Sequence, residues 1–271
     1  MIFNFILIII LLPILQSYDI YLSKHFVNLS QTTYCVSSIS NWDCLTCDDS
    51  IIPEYIIENN GAKAIQGYDT LTQTIFTSFR GSSNIHNWIN NIQISKISPY
   101  KDSNIQVEKG FYKAYSYIKY DLISNLVLLS IKYNTNLLSI TGHSLGAAEA
   151  TLFVFDIVNE YTNYQILYFY NFGSPRVGNP EFSAFFTYNH IYPFRVTHYY
   201  DIVPHLPEEI LGYKHISNEI WYDELNSKYT ICDDNIKEDK DCSNSCSPLY
   251  CTSVDDHLYY VNVTLGSSAC I

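Results

Sequence analysis

The stretch Gly142-His143-Ser144-Leu145-Gly146 has the pattern G-x-S-x-G, with an apolar run (137–141) before it and a helix-like stretch (147–154) after it. A serine at a sharp turn between a strand and a helix is the arrangement that presents a nucleophile. The turn is tight, so its flanking residues must be small, and both glycines meet that requirement. The helix N-terminus also directs backbone N–H groups at the space where an oxyanion would form. We therefore predict that Ser144 is a nucleophile rather than part of an ordinary turn.

A serine nucleophile needs a base to accept its proton and a third group to orient that base. With a nucleophile turn of this kind the chain order is serine, then acid, then histidine, so both partners should follow Ser144. His257 is the preferred base because it lies near the end of the chain, beside the strand-like run 258–263. His205 and His215 remain as alternatives.

The orienting acid is expected just past the end of a strand, and Asp201 has that position after the strand-like run 194–199. Asp255 and Asp256 are adjacent to His257 in sequence. A neighbouring carboxylate cannot easily reach Nδ1 of the same ring while the ring faces the serine. The predicted triad is therefore Ser144, His257 and Asp201.

An oxyanion hole needs two hydrogen-bond donors. One is expected to be the backbone N–H of Leu145, directly after the nucleophile. The other should come from a loop after an early strand, and Ser82 follows the strand-like run 74–79 by way of Gly81, which allows close approach of the backbone. We expect Ser82 to donate through its N–H, with its hydroxyl as a second donor. An ordinary serine in a turn is the alternative.

A short amphipathic helix is predicted over 84–94, directly after this loop. Its apolar residues recur at helical spacing, and its other face consists mostly of amide side chains. The apolar face is formed by Ile85, Trp88, Ile89 and Ile92. Such a helix usually just covers the core. Because it follows the predicted oxyanion loop, a movable lid is the rival interpretation, in which the opened helix offers its apolar face to lipid.

The remaining pattern indicates an α/β fold with a mostly parallel sheet covered by helices on both faces. Strand-like runs alternate with helical periodicity, and the spacing of apolar residues from Phe111 to Tyr133 predicts one long helix with a buried face. The strand-like runs are 74–79, 137–141, 166–172, 194–199 and 219–222.

The composition limits the partners of this chain. Its 271 residues suit one large α/β domain, and a net charge of −12 argues against binding to nucleic acid or electrostatic docking on anionic membranes. Any contact with lipid would therefore be apolar. Nothing in the sequence demands more than a monomer.

The first fifteen residues are almost wholly apolar, which is typical of the hydrophobic part of a signal peptide and too short for a comfortable membrane span. No lysine or arginine precedes this run, so an uncleaved anchor is the alternative. No later segment is long and apolar enough to span a bilayer. We expect a signal peptide over 1–17 and a single domain over 18–271, exported through the secretory pathway to the medium or a digestive vacuole.

Eight cysteines follow the signal-like segment, and their even number favours disulfides formed during secretion. Zinc is the alternative, because Cys44-x-x-Cys47 and the cluster 242/246/251 have ligand-like spacing, but we predict no metal. The polar, cysteine-dense segment 231–251 is expected to be a surface loop that is cross-linked by disulfides. Asn28 and Asn262 begin glycosylation sequons.

Taken together, these residues resemble the fungal-type class 3 lipases, an α/β-hydrolase family, over roughly 62–260. The two most specific strings are 172–179 (F-G-S-P-R-V-G-N) and 201–207 (D-I-V-P-H-L-P). The other matching stretches are 67–69, 79–83, 87–89, 110–112, 142–148, 195–198 and 256–260.

The resemblance implies the same triad, the same oxyanion donors and a lid helix over 85–92. It also implies structural roles for His143 and His215, and two disulfides, Cys35–Cys270 and Cys44–Cys47. The remaining cysteines, 232, 242, 246 and 251, allow three pairings, which stay open. The cysteine-rich segment is larger than the corresponding part of most members of this family.

The function expected from this resemblance is a secreted lipase that hydrolyses acylglycerol esters at lipid–water interfaces through an acyl-enzyme, without a cofactor. A phospholipase A1 or a feruloyl esterase is the first alternative, because the lid and pocket decide the substrate more than the triad does. A non-catalytic lipid-binding or interaction protein on the same scaffold is the second.

Overall fold

The computed structural model describes residues 17–40, 42–92, 94–233, 238–246 and 250–270. The expected signal peptide lies outside these ranges, apart from Ser17. Among the described residues, no helix combines the length and the apolar character needed to cross a membrane.

The α-helices among the described residues alternate with strands for most of the chain. They are α1 (Ile20–Cys35), α2 (Ile85–Asn91), α3 (Lys109–Ser116), α4 (Lys119–Tyr133), α5 (Leu145–Glu160), α6 (Pro180–Tyr188) and α7 (Val254–His257).

One eight-stranded sheet forms the centre of the molecule, in the order β1-β2-β3-β6-β7-β8-β9-β10. Its inner strands β3, β6, β7, β8 and β9 are parallel, and β1, β2 and β10 pair antiparallel at the edges. The strands are β1 (Ile51–Asn59), β2 (Ala62–Asp69), β3 (Thr74–Phe79), β4 (Lys96–Ile97), β5 (Val107–Glu108), β6 (Leu137–His143), β7 (Gln165–Phe172), β8 (Phe194–His198), β9 (Glu219–Tyr222), β10 (Tyr229–Ile231), β11 (Tyr259–Tyr260) and β12 (Val263–Thr264).

Two apolar clusters cover the two faces of this sheet. One is built around α3, α4, α5 and α6, and the other around α1 and the β11–β12 hairpin. The mostly parallel sheet flanked by helices confirms the predicted fold class. Because the carboxyl ends of parallel strands meet at one edge, the loops after β3, β6, β7 and β8 come together there.

The long helix predicted between Phe111 and Tyr133 is wrong in its continuity. The chain forms two helices, α3 and α4, separated at Tyr117 and Ile118. The apolar periodicity nevertheless continues through the break, because Ile118 is as buried as Tyr115 and Leu122. The spacing of apolar residues indicates which side chains face the core. It does not show where the direction of the helix changes.

All eight cysteines are paired in disulfides. Cys35 is bonded to Cys270, so the start of the described chain is joined to its end, and Cys44 is bonded to Cys47. Within the cysteine-rich segment the pairs are Cys232–Cys242 and Cys246–Cys251. Although Glu219, Cys232 and Cys242 place potential ligand atoms close together, both sulfurs are in a disulfide and no thiolate is left to bind zinc.

Candidate active site

Ser144 lies between β6 and α5 with φ 60° and ψ −129°, a backbone conformation that L-residues rarely adopt. The close packing of the turn explains its two glycines. A Cβ on Gly142 would lie 2.3 Å from the carbonyl oxygen of Gly146, and one on Gly146 would lie 2.4 Å from that of Phe79. The turn therefore holds the serine in a strained geometry that side chains larger than hydrogen at its flanks would not allow.

His257 and Asp201 meet as the sequence predicts. His257 Nδ1 donates a hydrogen bond to Asp201 Oδ2 at 2.9 Å, and both side chains are buried. Asp201 follows β8 and the turn at Tyr199 and Tyr200, as expected for an acid past a strand end. His257 is the last residue of the short helix α7.

Tyr260 and Val203 complete the hydrogen bonding of Asp201. The Tyr260 hydroxyl donates to Oδ2, and the Val203 N–H donates to Oδ1 at 2.7 Å. Burial, together with the charge of Asp201, raises the pKa of Tyr260 well above its ordinary value, so this phenol stays protonated and remains a donor. Tyr260 was given no role from the sequence, where it appears only as the last residue of the matching stretch 256–260.

His143, which is part of the serine turn, is hydrogen-bonded to His257. Its Nε2–H donates to the carbonyl oxygen of His257 at 2.8 Å, which leaves Nδ1 to accept from the Tyr34 hydroxyl at 2.8 Å. Burial, and then the charge of His257, lowers the pKa of His143 well below its ordinary value, so the ring is neutral as these bonds require. This geometry fits the structural role that the resemblance implied for His143.

The alternative bases make other contacts. His215 Nε2 donates to the carbonyl oxygen of Pro204 at 2.7 Å. His205 is buried, and neither of its ring nitrogens has a hydrogen-bond partner among the described residues. Neither ring is hydrogen-bonded to Asp201, so the geometry favours His257.

The loop after β3 brings Gly81, the residue before Ser82, next to the serine turn. A Cβ on Gly81 would lie 2.0 Å from the Tyr34 hydroxyl oxygen and 3.0 Å from Ser144 Cβ, so only glycine allows this approach. Leu145 is the first residue of α5, where the first N–H groups of a helix have no acceptor within it. Leu145 and the residue before Ser82 therefore approach Ser144 from two elements, so the two oxyanion donors stay a prediction that this geometry fits.

The predicted lid region forms α2, which is shorter than the 84–94 helix expected from the pattern, and Gln93 lies outside the described residues. The Asn84 side chain caps it by accepting from the Asn87 N–H at 3.0 Å. No residue of α2 is fully buried. The Trp88 ring stacks on Phe111 with centroids 5.9 Å apart, and Ile92 also packs against the core.

Ser144 and His257, the predicted nucleophile and base, are closed off from solvent in this structure. Ser144 is 1% exposed and His257 is 0% exposed. Among the described residues, neither Ser144 Oγ nor His257 Nε2 has a hydrogen-bond partner. A substrate can therefore reach these atoms only after a part of the protein moves.

Glu149 is a buried acid that the sequence analysis did not single out. It lies on α5 one turn after Leu145, is 0% exposed, and neither of its carboxyl oxygens has a hydrogen-bond partner among the described residues. Burial raises its pKa well above the ordinary value, against a smaller opposite influence of the Arg80 charge. The side chain is thus held in its neutral form by the fold.

Glu149→Gln is expected to make stability less dependent on pH. Between the ordinary pKa of 4.5 and the raised folded pKa, the unfolded chain releases the Glu149 proton and the folded chain keeps it. The wild type therefore loses free energy of unfolding as pH rises through this window, and the glutamine variant lacks that loss. Urea unfolding at pH values on both sides of 4.5 measures the difference.

The matched control is Glu160→Gln, at an exposed position of the same helix. It should keep the fall in the free energy of unfolding that the wild type shows as pH rises through this window. A constant stability difference between wild type and the Glu149 variant at all pH values would contradict the prediction.

The two sequons lie in different surroundings. Asn262 is exposed in the turn of the β11–β12 hairpin, and Thr264 is exposed as well. Asn28 lies in the middle of α1, and its partner Ser30 is buried and hydrogen-bonded to Thr141 at 2.9 Å.

Comparison with known proteins agrees with this geometry. The family model described as "Lipase (class 3)" matches residues 76–210. A lipase of Rhizomucor miehei is 34% identical over 254 residues, which cover 89% of this chain and 68% of that protein. A secreted mono- and diacylglycerol lipase of Fusarium solani is 32% identical over 187 residues, which cover 68% of this chain and 55% of that protein.

One solved structure similar to this chain is a triacylglycerol lipase whose catalytic centre is described as a serine protease triad. The two structures superpose with a TM-score of 0.82 at 33% sequence identity. The superposition covers 93% of this chain and 97% of that chain. Sequence and fold agree over most of the chain. The protein therefore belongs to the class 3 lipase family and is a lipase-type serine ester hydrolase with the α/β-hydrolase fold.

Proposed function

We propose that this protein is a secreted lipase that hydrolyses the carboxylic esters of acylglycerols through a Ser144–His257–Asp201 acyl-enzyme mechanism. The observation that carries the proposal is the hydrogen bond of 2.9 Å from His257 Nδ1 to Asp201 Oδ2, next to a buried serine in a strained turn. This arrangement supplies a nucleophile, a base and an orienting anion in one enclosed place.

In the first half of the reaction, Ser144 Oγ forms a bond to the acyl carbonyl carbon and its proton passes to His257 Nε2. Asp201 keeps the ring in the required orientation and stabilises the imidazolium. The carbonyl oxygen becomes an oxyanion that accepts hydrogen bonds from the Ser82 and Leu145 N–H groups, each worth about 3 kcal/mol. The C–O bond to the alcohol then breaks, and the alcohol leaves with the proton from His257.

In the second half, water attacks the acyl-enzyme and gives its proton to His257. The bond between the acyl carbon and Ser144 Oγ breaks, the proton returns to Ser144, and the fatty acid is released. The residues named here carry out every proton transfer without a cofactor.

The closed site supports a lid function for α2. The helix covers part of the core through Trp88 and Ile92 without burying any of its residues fully, so its displacement costs little apolar burial. An opened α2 would present Trp88 and the neighbouring isoleucines to lipid. An acyl substrate assembled in an interface is the partner that this apolar face fits.

The test is hydrolysis of a short triacylglycerol as its concentration crosses the solubility limit. We expect a steep rise in rate at the emulsion boundary, absent in Ser144→Ala. In Trp88→Ala the rise should shrink while hydrolysis of dissolved substrate continues, because the indole is needed at the interface and not for the chemistry. The measurement is the initial rate on both sides of the limit.

Trp42→Ala is the matched control, since Trp42 is also half-buried but packs in the cluster around α1. Simple saturation below the solubility limit, with no rise at the boundary, would overturn the interfacial part of the proposal. It would favour a soluble-ester hydrolase, and phospholipid and feruloyl substrates would then be compared directly.

Export is part of the same proposal, with 1–17 removed as a signal peptide and 18–271 acting as one catalytic domain. The four disulfides among the described residues support an oxidising compartment. The exposed hairpin turn favours Asn262 over Asn28 as the glycosylated residue. Enzymatic deglycosylation of the exported protein, with Asn262→Gln for comparison, tests this assignment by mass.

A further inference from the structure

Arg176 is a buried arginine in the loop after β7, and one side of its guanidinium group contacts a loop that begins at Asp201. Its Nη1 donates to the carbonyl oxygens of His205 at 2.7 Å and Pro207 at 3.1 Å. Its backbone N–H donates to the carbonyl oxygen of Leu206 at 2.8 Å. Arg176 therefore holds three consecutive residues of the segment that begins at Asp201.

Glu238 of the cysteine-rich segment occupies the other side of the same guanidinium group. The two side chains form a bidentate pair, with Nε to Oε1 at 3.0 Å and Nη2 to Oε2 at 2.9 Å. Although burial opposes it, the charge and the hydrogen bonds of Arg176 hold the pKa of Glu238 well below its ordinary value. The carboxylate is thus ionised, and its charge compensates that of Arg176.

The position of Glu238 depends on a disulfide. The residue lies inside the loop closed by Cys232 and Cys242. Its carboxylate also accepts the His215 N–H at 3.0 Å, and its carbonyl oxygen accepts from Asn244 Nδ2 at 3.1 Å. The segment was expected to lie on the surface, but the carboxylate of its residue Glu238 is buried in the interior of the protein.

Both loops that Arg176 joins also touch the proposed triad. At the start of its own loop, a Cβ on Gly173 would lie 2.9 Å from the His257 ring and 3.0 Å from Asp201 Oδ2. The other loop starts at Asp201 itself, and its first turn is closed by the Val203 N–H. A shift between the two loops would therefore change the distance from Asp201 to His257.

We propose that Arg176 and Glu238 form a clamp that positions Asp201 against His257, so that the cysteine-rich segment acts as a brace for the triad acid. Glu238 and Arg176 are positioning residues, since neither contacts the reacting atoms. This inference rests on the proposed function, because it assigns Asp201 and His257 their triad roles.

Glu238→Gln tests the clamp, because it keeps the shape of the side chain and removes the charge that pairs with Arg176. We expect kcat for ester hydrolysis to fall by about 10- to 100-fold, the loss that a displacement of roughly 1 Å among reacting groups causes, with a smaller change in KM. Urea unfolding confirms that the variant is folded under the assay conditions.

Asp156→Asn is the control. Asp156 is a fully buried acid of α5 that forms an ion pair with Lys119 at 2.7 Å and contacts neither loop of the clamp. If the loss in Glu238→Gln comes from the clamp, Asp156→Asn should change stability but keep its kcat. An equal fall of kcat in both variants would mean that any broken buried pair has this effect, and the clamp would be wrong.

A second readout separates positioning from general damage. In an Asp201→Asn background the triad acid is already lost, so adding Glu238→Gln should lower kcat little further. A full multiplicative loss in that background would overturn the proposal, as would a wild-type kcat in folded Glu238→Gln. If Glu238→Gln does not fold, Arg176→Lys, which keeps the charge but not the forked donors, is measured in the same way.

The failure of the clamp and the failure of the proposed function are distinguishable. If ester hydrolysis by the wild type does not depend on Ser144, the proposed function fails before any clamp variant is compared. If it does depend on Ser144 and the Glu238 variant keeps full activity, only the clamp fails.

Discussion

Replacement of Ser144 by alanine is expected to lower kcat for ester hydrolysis by about 10⁶-fold, the scale seen when a triad serine is removed. The variant keeps the base, the orienting acid and the expected oxyanion donors, but no atom remains to form the acyl-enzyme. Because the methyl group of alanine fits wherever a serine side chain fits, the fold should be unchanged. Initial rates with an emulsified triacylglycerol measure the loss, and urea unfolding checks the stability.

Ser139→Ala is the control for this prediction. Ser139 is a buried serine of the same strand, β6, and its hydroxyl accepts a hydrogen bond from Thr74 at 2.8 Å, remote from the turn. It should retain its activity. Hydrolysis that continues at the wild-type rate in Ser144→Ala would mean that the nucleophile lies elsewhere.

Asp201→Asn is expected to lower kcat by about 10⁴-fold, the loss known for the same change in a serine–histidine–aspartate triad. Asp201 accepts three hydrogen bonds, from His257 Nδ1, the Tyr260 hydroxyl and the Val203 N–H. An asparagine has only one oxygen, so its NH₂ group must face at least one of these donors. The imidazole then loses the anion that stabilises its charged form, or changes its tautomer.

Asp256→Asn is the matched control, because Asp256 is next to His257 in sequence but accepts from the Tyr200 N–H at 3.3 Å. Steady-state kinetics of both variants, with folding checked by urea unfolding, decide the assignment. If Asp256→Asn lost activity and Asp201→Asn kept it, the neighbour in sequence and not the loop after β8 would orient the base.

The parts of the fold that sequence predicts are those with a local signal. The five parallel strands β3, β6, β7, β8 and β9 were predicted from their strand-like runs, and β3 and β9 have the predicted bounds. Neither β1 nor β2 was predicted. Strand β2 is almost entirely buried but contains Lys63 and Gln66, whose polar groups are satisfied by contacts such as Lys63 Nζ to the carbonyl oxygen of Val36 at 2.6 Å. Those partners are distant in sequence, so the strand has no recognisable pattern.

The residues of the candidate site also fall into those that have a local sequence signal and those that have none. The serine turn has a local signal, because Ser144 lies between two glycines in a strand–turn–helix pattern, although the group that excludes a side chain at Gly146 is the carbonyl of Phe79 on β3. Chain order then limits where the predicted partners of Ser144 lie. Tyr260, Tyr34 and Glu149 have no local signal, since their importance comes from groups far along the chain.

The sequence by itself determined the strand–turn–helix around Ser144, the order of its predicted partners and the parallel sheet that brings them to one edge, because backbone sterics and apolar periodicity act over short stretches. Only the tertiary structure decided that Glu238 of a cysteine-rich segment turns inward to Arg176, and that Ser144 and His257 are closed from solvent. Pairing between distant buried charges depends on how separate loops pack, and no short stretch of sequence contains that information.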